Sequence, residues 1–578
     1  MLPSFSLPTL PSIPPMAPSV ARHPPSAPAI PTTSPAPSGA SPAVNHTTYQ
    51  PQAAPATNRA PEPSVPSSGH PSPLGSSKNP AIVNLLNSGP DASVYLSADD
   101  LNLLAEDLNK MLTDIVVDGV DPASLPEMSM MQPQPSPSSV PEHNLPLSYI
   151  KVTAPHEKLY LEEFYSEFAA IVLPLPAWDA QLRQYYNPAR DIILKLSANE
   201  PFLMAAVLAE GAKSSFKKNN LKDDDDAYRR YLSKCLSLLG PAMRSSNATL
   251  THNVEAVLVT VLLLTSDTAS NAAPDWRPHL RGARDLLLKL ARQRVRSTPV
   301  LVFCKTWFVA IEVLAGISSR GGGTLANDEI DLLLTPTPYE DEMLRGLGVL
   351  RANGFNIFTG AHHDTIPLFR DLTKALAERR RRRTLNKSLE GSWDHMRLFT
   401  EFWNQLQVSF VTRQGVCTVQ EYQAQAETTA IPEGALVDVL RSQVMVSWMD
   451  VSHQSFMLAA LITLLTKFFG ESHTSPQVQL LTNELTRFLS VLSEPQSHRE
   501  LIKCSLMMIS WPMYVAGLNC HDEQQKYLLM KYFRATAEGG SGTAQHALDR
   551  VYSTWKNHKQ GIDVDDDDDV DRLDIVSY

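Results

Sequence analysis

Asp275-Trp276-Arg277-Pro278-His279-Leu280-Arg281-Gly282-Ala283-Arg284-Asp285-Leu286-Leu287 carries the clearest structural signal in the chain. Pro278 suits the first turn of a helix, where its missing N–H is not needed and its φ is already set. Leu280, Ala283, Leu286 and Leu287 then recur at helical spacing and form one apolar stripe. Gly282 inside that helix costs about 1 kcal/mol relative to alanine, which a close helix–helix approach would offset. Trp276 is placed to pack at the helix start. The residues read as scaffold rather than as reacting groups.

The same periodicity continues outward. Helices are predicted near 159–172, 202–216, 228–239, 253–265, 280–292, 300–318, 365–382, 394–410, 434–448, 455–469, 476–492, 498–517 and 522–535. Prolines and the run Gly321, Gly322, Gly323 punctuate the gaps. Strand-type alternation is not sustained, and no repeat of solenoid length is visible. The expected class is all-α: one large helical domain over 148–556, long enough to bury a sizeable core. Asp223, Asp224, Asp225 and Asp226, set between lysines and arginines, read as a charge-balanced loop. The three glycines read as a flexible connection.

The flanks differ in composition. Of the 45 prolines, 21 fall in residues 1–80, alongside only Arg22, Arg59, Glu62 and Lys78 as charged residues. Such a Pro/Ser/Ala-rich stretch buries too little apolar surface to offset its chain entropy. Residues 1–95 are therefore expected to be disordered, and 119–147 to be a linker. Between them, 97–118 predicts an acidic amphipathic helix with Leu101, Leu104, Leu108, Met111, Leu112 and Ile115 on one face. It is a candidate partner or activation helix. Residues 557–578 form an expected disordered acidic tail, whose eight aspartates against Arg572 carry most of the net charge of −11. The remainder is nearly balanced, which argues against a broad nucleic-acid-binding face.

Candidate chemistry is sparse. Cys235, Cys304, Cys417, Cys504 and Cys520 contain no C-x2-C pair and are expected as buried, reduced thiols of an intracellular protein. His362, His363 and Asp364 are consecutive, so they lack the i, i+4 spacing that aims two ligands from one helix face. The triple glycine lacks both a following Lys-Ser or Lys-Thr and a preceding strand, so no phosphate loop is read there. No nucleophile elbow or catalytic set stands out, and no enzyme is proposed. Apolar runs near 256–264 and 457–465 are too short to span a membrane. Arg379, Arg380, Arg381, Arg382 and Arg383 end a predicted helix. They read either as a solvated helix end or as a nuclear-localisation patch.

The string W-x-x-H-L-x-G-A-x-x-L-L, here Trp276, His279, Leu280, Gly282, Ala283, Leu286 and Leu287, resembles the hallmark of the fungal-specific transcription factor domain, second subfamily. Residues 160–168 resemble its opening helix, 201–212 its alanine-rich helix and 228–239 the next one. Trp511, Pro512 and Gly517 resemble its late Trp-Pro element, and 547–555 its closing helix. The run 187–196 with 206–216 is most similar to the lysine-biosynthesis regulator group. The resemblance implies a helical regulatory domain of a nuclear, RNA polymerase II transcription regulator, with metabolic genes, amino-acid biosynthetic ones among them, as expected targets.

That family's DNA-binding module needs six cysteines spaced as two C-x2-C-x6-C runs, which hold two zinc ions. This chain lacks them, so neither zinc nor DNA contact carries over to any residue here. Two expectations follow: a chain that begins inside the linker following such a cluster, or a regulator that lacks the module and acts through dimerisation or a bound partner. No cofactor is expected in the chain itself, and zinc only with that preceding cluster. The implied partners are transcription machinery or coactivators, a second copy of the chain as a homodimer and a metabolite effector; no membrane is implied. The competing reading is a small-molecule-sensing or scaffolding domain without a transcriptional role, with Trp276 and Trp511 lining a pocket.

Overall fold

The computed structural model describes residues 143–562, apart from breaks at 153, 180, 245–246, 271–275, 293–296, 385–391, 429–436, 440–443 and 493–504, together with Val576. The candidate helix at 97–118 and the aspartate run lie outside the described residues. The described part is mainly helical, as the periodicity predicts.

Its first half runs through α1 (Pro155–Glu163), a π turn (Phe164–Phe168), α2 (Ala169–Val172), α3 (Pro188–Ser197), α4 (Pro201–Asn219), α5 (Lys222–Arg244), α6 (Asn247–Ser270) and α7 (Trp276–Arg292). Then come α8 (Pro299–Ser318), α9 (Asn327–Leu333), α10 (Pro338–Gly346), α11 (Ile366–Thr384) and α12 (Trp393–Gln405). The second half holds α13 (Val419–Thr428), α14 (Trp448–Phe468), α15 (Pro476–Leu492), α16 (Ser510–Asn519), α17 (Glu523–Glu538) and α18 (Gly542–Lys559). Prolines repeatedly mark the starts: Pro188 follows the cap Asn187, whose side chain accepts from Arg190 N at 3.0 Å, and Pro299 follows Thr298, which accepts from Leu301 N at 3.2 Å.

Two helices are buried almost all round, the mark of a helix inside a core. In α14 every residue except Thr466 and Lys467 is buried. In α8, Phe303, Trp307, Phe308 and Ile311 are wholly out of water. By length and composition α8 could cross a membrane, but most of it is packed inside the domain. The antiparallel pair α4 and α5 packs beside α1, and α6 packs on α7, α4 and α8. Gly211 of α4 shows how tightly α4 meets α1: a Cβ there would sit 1.9 Å from the Tyr160 carbonyl oxygen.

Burying α8 and α14 leaves their last carbonyls in need of donors. Backbone N–H groups serve some, among them Ser319 N to Ala315 O at 3.0 Å and Glu471 N to Leu465 O at 3.0 Å, and two neighbouring arginines serve others. Arg379 donates from Nε to Lys467 O at 2.9 Å, at the end of α14. Arg380 donates to Gly316 O at 2.8 Å and Ser319 O at 3.3 Å, at the end of α8. Arg379 is buried and Arg380 half-buried, so the expected solvated helix end holds only for Arg381 and Arg382, which pair with Glu378 at 2.8 and 2.7 Å.

Other expectations also change. The helix predicted at 434–448 is instead sheet: β5 (Val416–Thr418), β6 (Val437–Val439) and β7 (Val444–Ser447) pair antiparallel in the order β5-β7-β6. Alternate valines in both β6 and β7 explain this, because β-branched side chains fit a pleated surface better than a helix. Two hairpins also form, β1 (Ala177–Asp179) with β2 (Gln184–Tyr186), and β3 (Phe355–Asn356) with β4 (Ala361–His362). The four aspartates at 223–226 are not a loop. They occupy the start of α5, where carboxylates face the positive end of the helix dipole; Asp224 accepts from Tyr160 Oη at 2.9 Å and Ser215 Oγ at 2.7 Å. At the C-terminal end, α18 runs on to Lys559 and Val576 is fully buried against the core. Residues 557–578 are thus not a tail throughout.

If Arg380 caps α8, Arg380→Gln should lower stability by about 1.5–3 kcal/mol, the range for a hydrogen bond from a charged donor. Arg381→Gln should leave the urea midpoint unchanged. Paired denaturation curves check this; equal midpoints for both variants would contradict the capping role.

Candidate functional site

The Trp276–Leu287 stretch lies on α7 and serves the core. Trp276, Leu280 and Ala283 are fully buried, and Gly282, Leu286 and His279 are buried too. Its polar residues reach across to the glycine run after α8. Arg277 stacks over the Trp276 ring at 4.3 Å and donates to Ser319 Oγ at 3.1 Å and Gly323 O at 3.4 Å. Arg284 donates to Thr324 O at 2.8 Å. From the other side, the buried Glu312 carboxylate accepts from Thr324 Oγ1 at 2.8 Å and Leu325 N at 2.9 Å. The glycines are needed for contact: a Cβ on Gly323 would lie 2.0 Å from Glu312 Oε1. The connection expected to be flexible is therefore clamped between α7, α8 and α11.

Beneath His279 lies a buried polar knot. Lys213 of α4 bonds both carboxylate oxygens of Asp267 on α6, at 2.6 and 2.8 Å, and reaches Tyr228 Oη of α5 at 3.3 Å. One turn away, Glu210 is fully buried, and among the described residues neither of its oxygens has a hydrogen-bond partner. Burial first, and then the Asp267 charge, push its carboxyl well above the usual range, so it is held as the neutral acid. Burial lowers the His279 imidazole to about 4, and its Nδ1 has no partner among the described residues. Lys213 stays charged because Asp267 offsets its burial.

The late element Trp511, Pro512 and Gly517 sits on α16, all buried. A Cβ on Gly517 would meet Val551 Cγ2 of α18 at 2.6 Å, so this glycine marks a close helix crossing. Trp511 packs its ring against Phe369 at 6.2 Å and Phe456 at 5.7 Å. Neither Trp276 nor Trp511 lines the cleft of about 70 Å³ whose wall Trp307, on α8, forms together with Ala310, Phe358, Phe369, Phe456 and Met508. Trp307 is held by its Nε1–H bond to Ser266 Oγ at 3.0 Å and by stacking on Phe358. Its position in a largely apolar helix gives no sign of it in the sequence. A smaller cavity of about 30 Å³ adjoins, lined by Lys305, Glu340, Asp341 and His363 among others. There Lys305 pairs with Glu340 at 2.6 Å and His363 with Asp341 at 2.8 Å. His362, His363 and Asp364 fall across β4 and a short 3-10 turn (His363–Thr365).

The described residues do not fit a binuclear zinc cluster. Cys235, Cys304, Cys417 and Cys520 lie on separate elements, and no group of three His, Cys, Asp or Glu gathers to hold a metal among the described residues. Burial keeps the Cys235 and Cys304 thiols protonated. Cys417, on β5, is half-buried rather than buried.

An all-α domain with the hallmark stretch as a core helix is thus in place. The chain belongs to the family of fungal-specific transcription factor domains, whose description matches residues 159–571. It is also 27% identical over 534 residues to the lysine biosynthesis regulatory protein of Saccharomyces cerevisiae, covering 83% of this chain. The chain spans 65% of that relative's length. No solved structure matches it.

In the unfolded chain Glu210 ionises in the ordinary carboxylate range, whereas in the fold it keeps its proton to higher pH. Between those values the folded state binds the extra proton, so stability from this group falls as pH rises. His279 acts oppositely: it is neutral in the fold, and its contribution is lost as pH falls from 6.5 towards about 4. Glu210→Gln should therefore lose less stability than the parent between pH 5 and pH 8 in urea melts. Parallel pH profiles would rule out a buried neutral Glu210.

Proposed function

We propose that this chain is the regulatory part of a nuclear transcription regulator acting at RNA polymerase II promoters of metabolic genes, amino-acid biosynthesis foremost. The family match over 159–571 carries this reading, and the lysine-biosynthesis relative supports the choice of genes. The helical domain works through protein contacts. It restrains or presents an acidic surface, either the 97–118 helix or the aspartate run, to transcription machinery, alone or as a homodimer. Arg381, Arg382 and Arg383 are the part of the arginine block left for a nuclear-import receptor, since Arg379 and Arg380 serve the fold. No catalytic role is assigned. The second reading, a small-molecule sensor, is favoured by one observation, the cleft beside Trp307.

Deleting the encoding gene and measuring transcripts during amino-acid limitation tests the proposal. The expected result is altered expression of amino-acid biosynthetic genes, restored by the intact gene. Unchanged transcripts for those genes would overturn it.

A further inference from the structure

The cleft beside Trp307 has a specific chemistry. Its walls come from segments far apart in the chain, from Ile171 at the end of α2 to Ser541 before α18. Among the described residues no Asp, Glu, Lys, Arg or His lines it. Rings of Trp307, Phe358, Phe369 and Phe456 and the thioethers of Met507 and Met508 share the lining with aliphatic side chains such as Ile171, Val313 and Leu314, and polarizable sulfur beside rings suits an aromatic guest. Three hydroxyls reach the wall. Thr365 Oγ1 is engaged with His362 O at 2.7 Å, and Ser541 Oγ with Thr543 Oγ1 at 3.2 Å. Thr359 Oγ1 is shielded from water and has no hydrogen-bond partner among the described residues. A buried hydroxyl left unbonded is costly, and Thr359 lines both this space and the cavity next to it.

The volume is also informative. About 70 Å³ is several times the roughly 10–15 Å³ that holds one water and about half the roughly 150 Å³ of a closed apolar cavity that takes up benzene; this cleft is open on one side, so a ring can enter it without being wholly enclosed. The nearest charged groups, Lys305, Glu340, Asp341 and His363, lie in the adjoining cavity beyond Val309, Thr359 and Ile366 and are already paired. A charged or zwitterionic guest would lose its hydration and gain no partner, a cost of several kcal/mol.

We infer that this cleft binds a small uncharged molecule with an apolar, ring-sized body and one oxygen that hydrogen-bonds Thr359. Free amino acids are the wrong chemistry for it. Because the walls span the domain, an occupant ties α2, α8, α11, α14 and the segment before α16 together, and stabilises the domain as a unit. The inference does not rest on the transcriptional reading; it stands or falls on binding.

Benzyl alcohol, toluene and phenylalanine are the probes, titrated into the full chain and read by calorimetry and thermal unfolding. Benzyl alcohol should bind saturably and raise Tm, and phenylalanine should do neither. Ala310→Leu, which fills the cleft from α8, should abolish binding while unfolding cooperatively. Thr359→Val keeps the shape and should weaken benzyl alcohol by about tenfold, the worth of one hydrogen bond, while leaving toluene unchanged. This second variant decides the matter if Ala310→Leu fails to fold. Absence of benzyl alcohol binding, equal binding of phenylalanine, undiminished binding in folded Ala310→Leu, or equal effects of Thr359→Val on both ring compounds would overturn the inference.

Discussion

Two helices buried on every side must still satisfy the carbonyls at their ends, and in this domain one pair of adjacent residues contributes to that need at both. Arg379 reaches the end of α14 and Arg380 the end of α8. Positive guanidinium groups there also oppose the negative pole of each helix. The consequence is architectural. Helix α11, which carries both arginines, is fixed between the two central helices, and the elements that lie on it inherit that position. The cleft beside Trp307 uses Ile366 and Phe369 of the same helix.

The same logic extends to the glycine run. Arg277 and Arg284 of α7 and Glu312 of α8 bind residues 319–325 from opposite sides. Glu312 illustrates the balance involved. Burial raises its carboxyl, while the bonds from Thr324 and Leu325 and the charge of Arg277 pull it back. At the start of α14, Asp450 plays a similar part, accepting from Phe410, Val411 and Thr412 N at 2.7, 2.8 and 3.0 Å. Glu312 and Asp450 thus each bind a loop to a helix.

Helical periodicity made most of the long elements legible, because 3.6-residue spacing reports burial directly. The hallmark stretch was legible as a core helix from its leucines and Trp276. Three kinds of feature were not. The valine-rich strands β6 and β7 are only three and four residues long, too short for alternation to separate from a helix. The arginine block looked solvated because composition cannot show which arginine finds a buried carbonyl 88 residues away in sequence. Trp307 sits in an apolar run where every residue looks like core, so its place at a cleft depends on Phe358 and Phe456 from other segments. Glu210 shares that limit: its carboxyl is raised first by burial and then by Asp267 on another helix.

The domain is therefore a set of helices built around α8 and α14, with a hallmark helix that locks the loop after α8 and a neutral cleft between distant segments. Native-state hydrogen exchange at increasing urea concentration tests that arrangement most directly. The amides of α8 and α14 should be the slowest in the described domain and should converge on one shared opening free energy, that of global unfolding. Exchange of either helix through a separate, lower-energy opening would contradict the account.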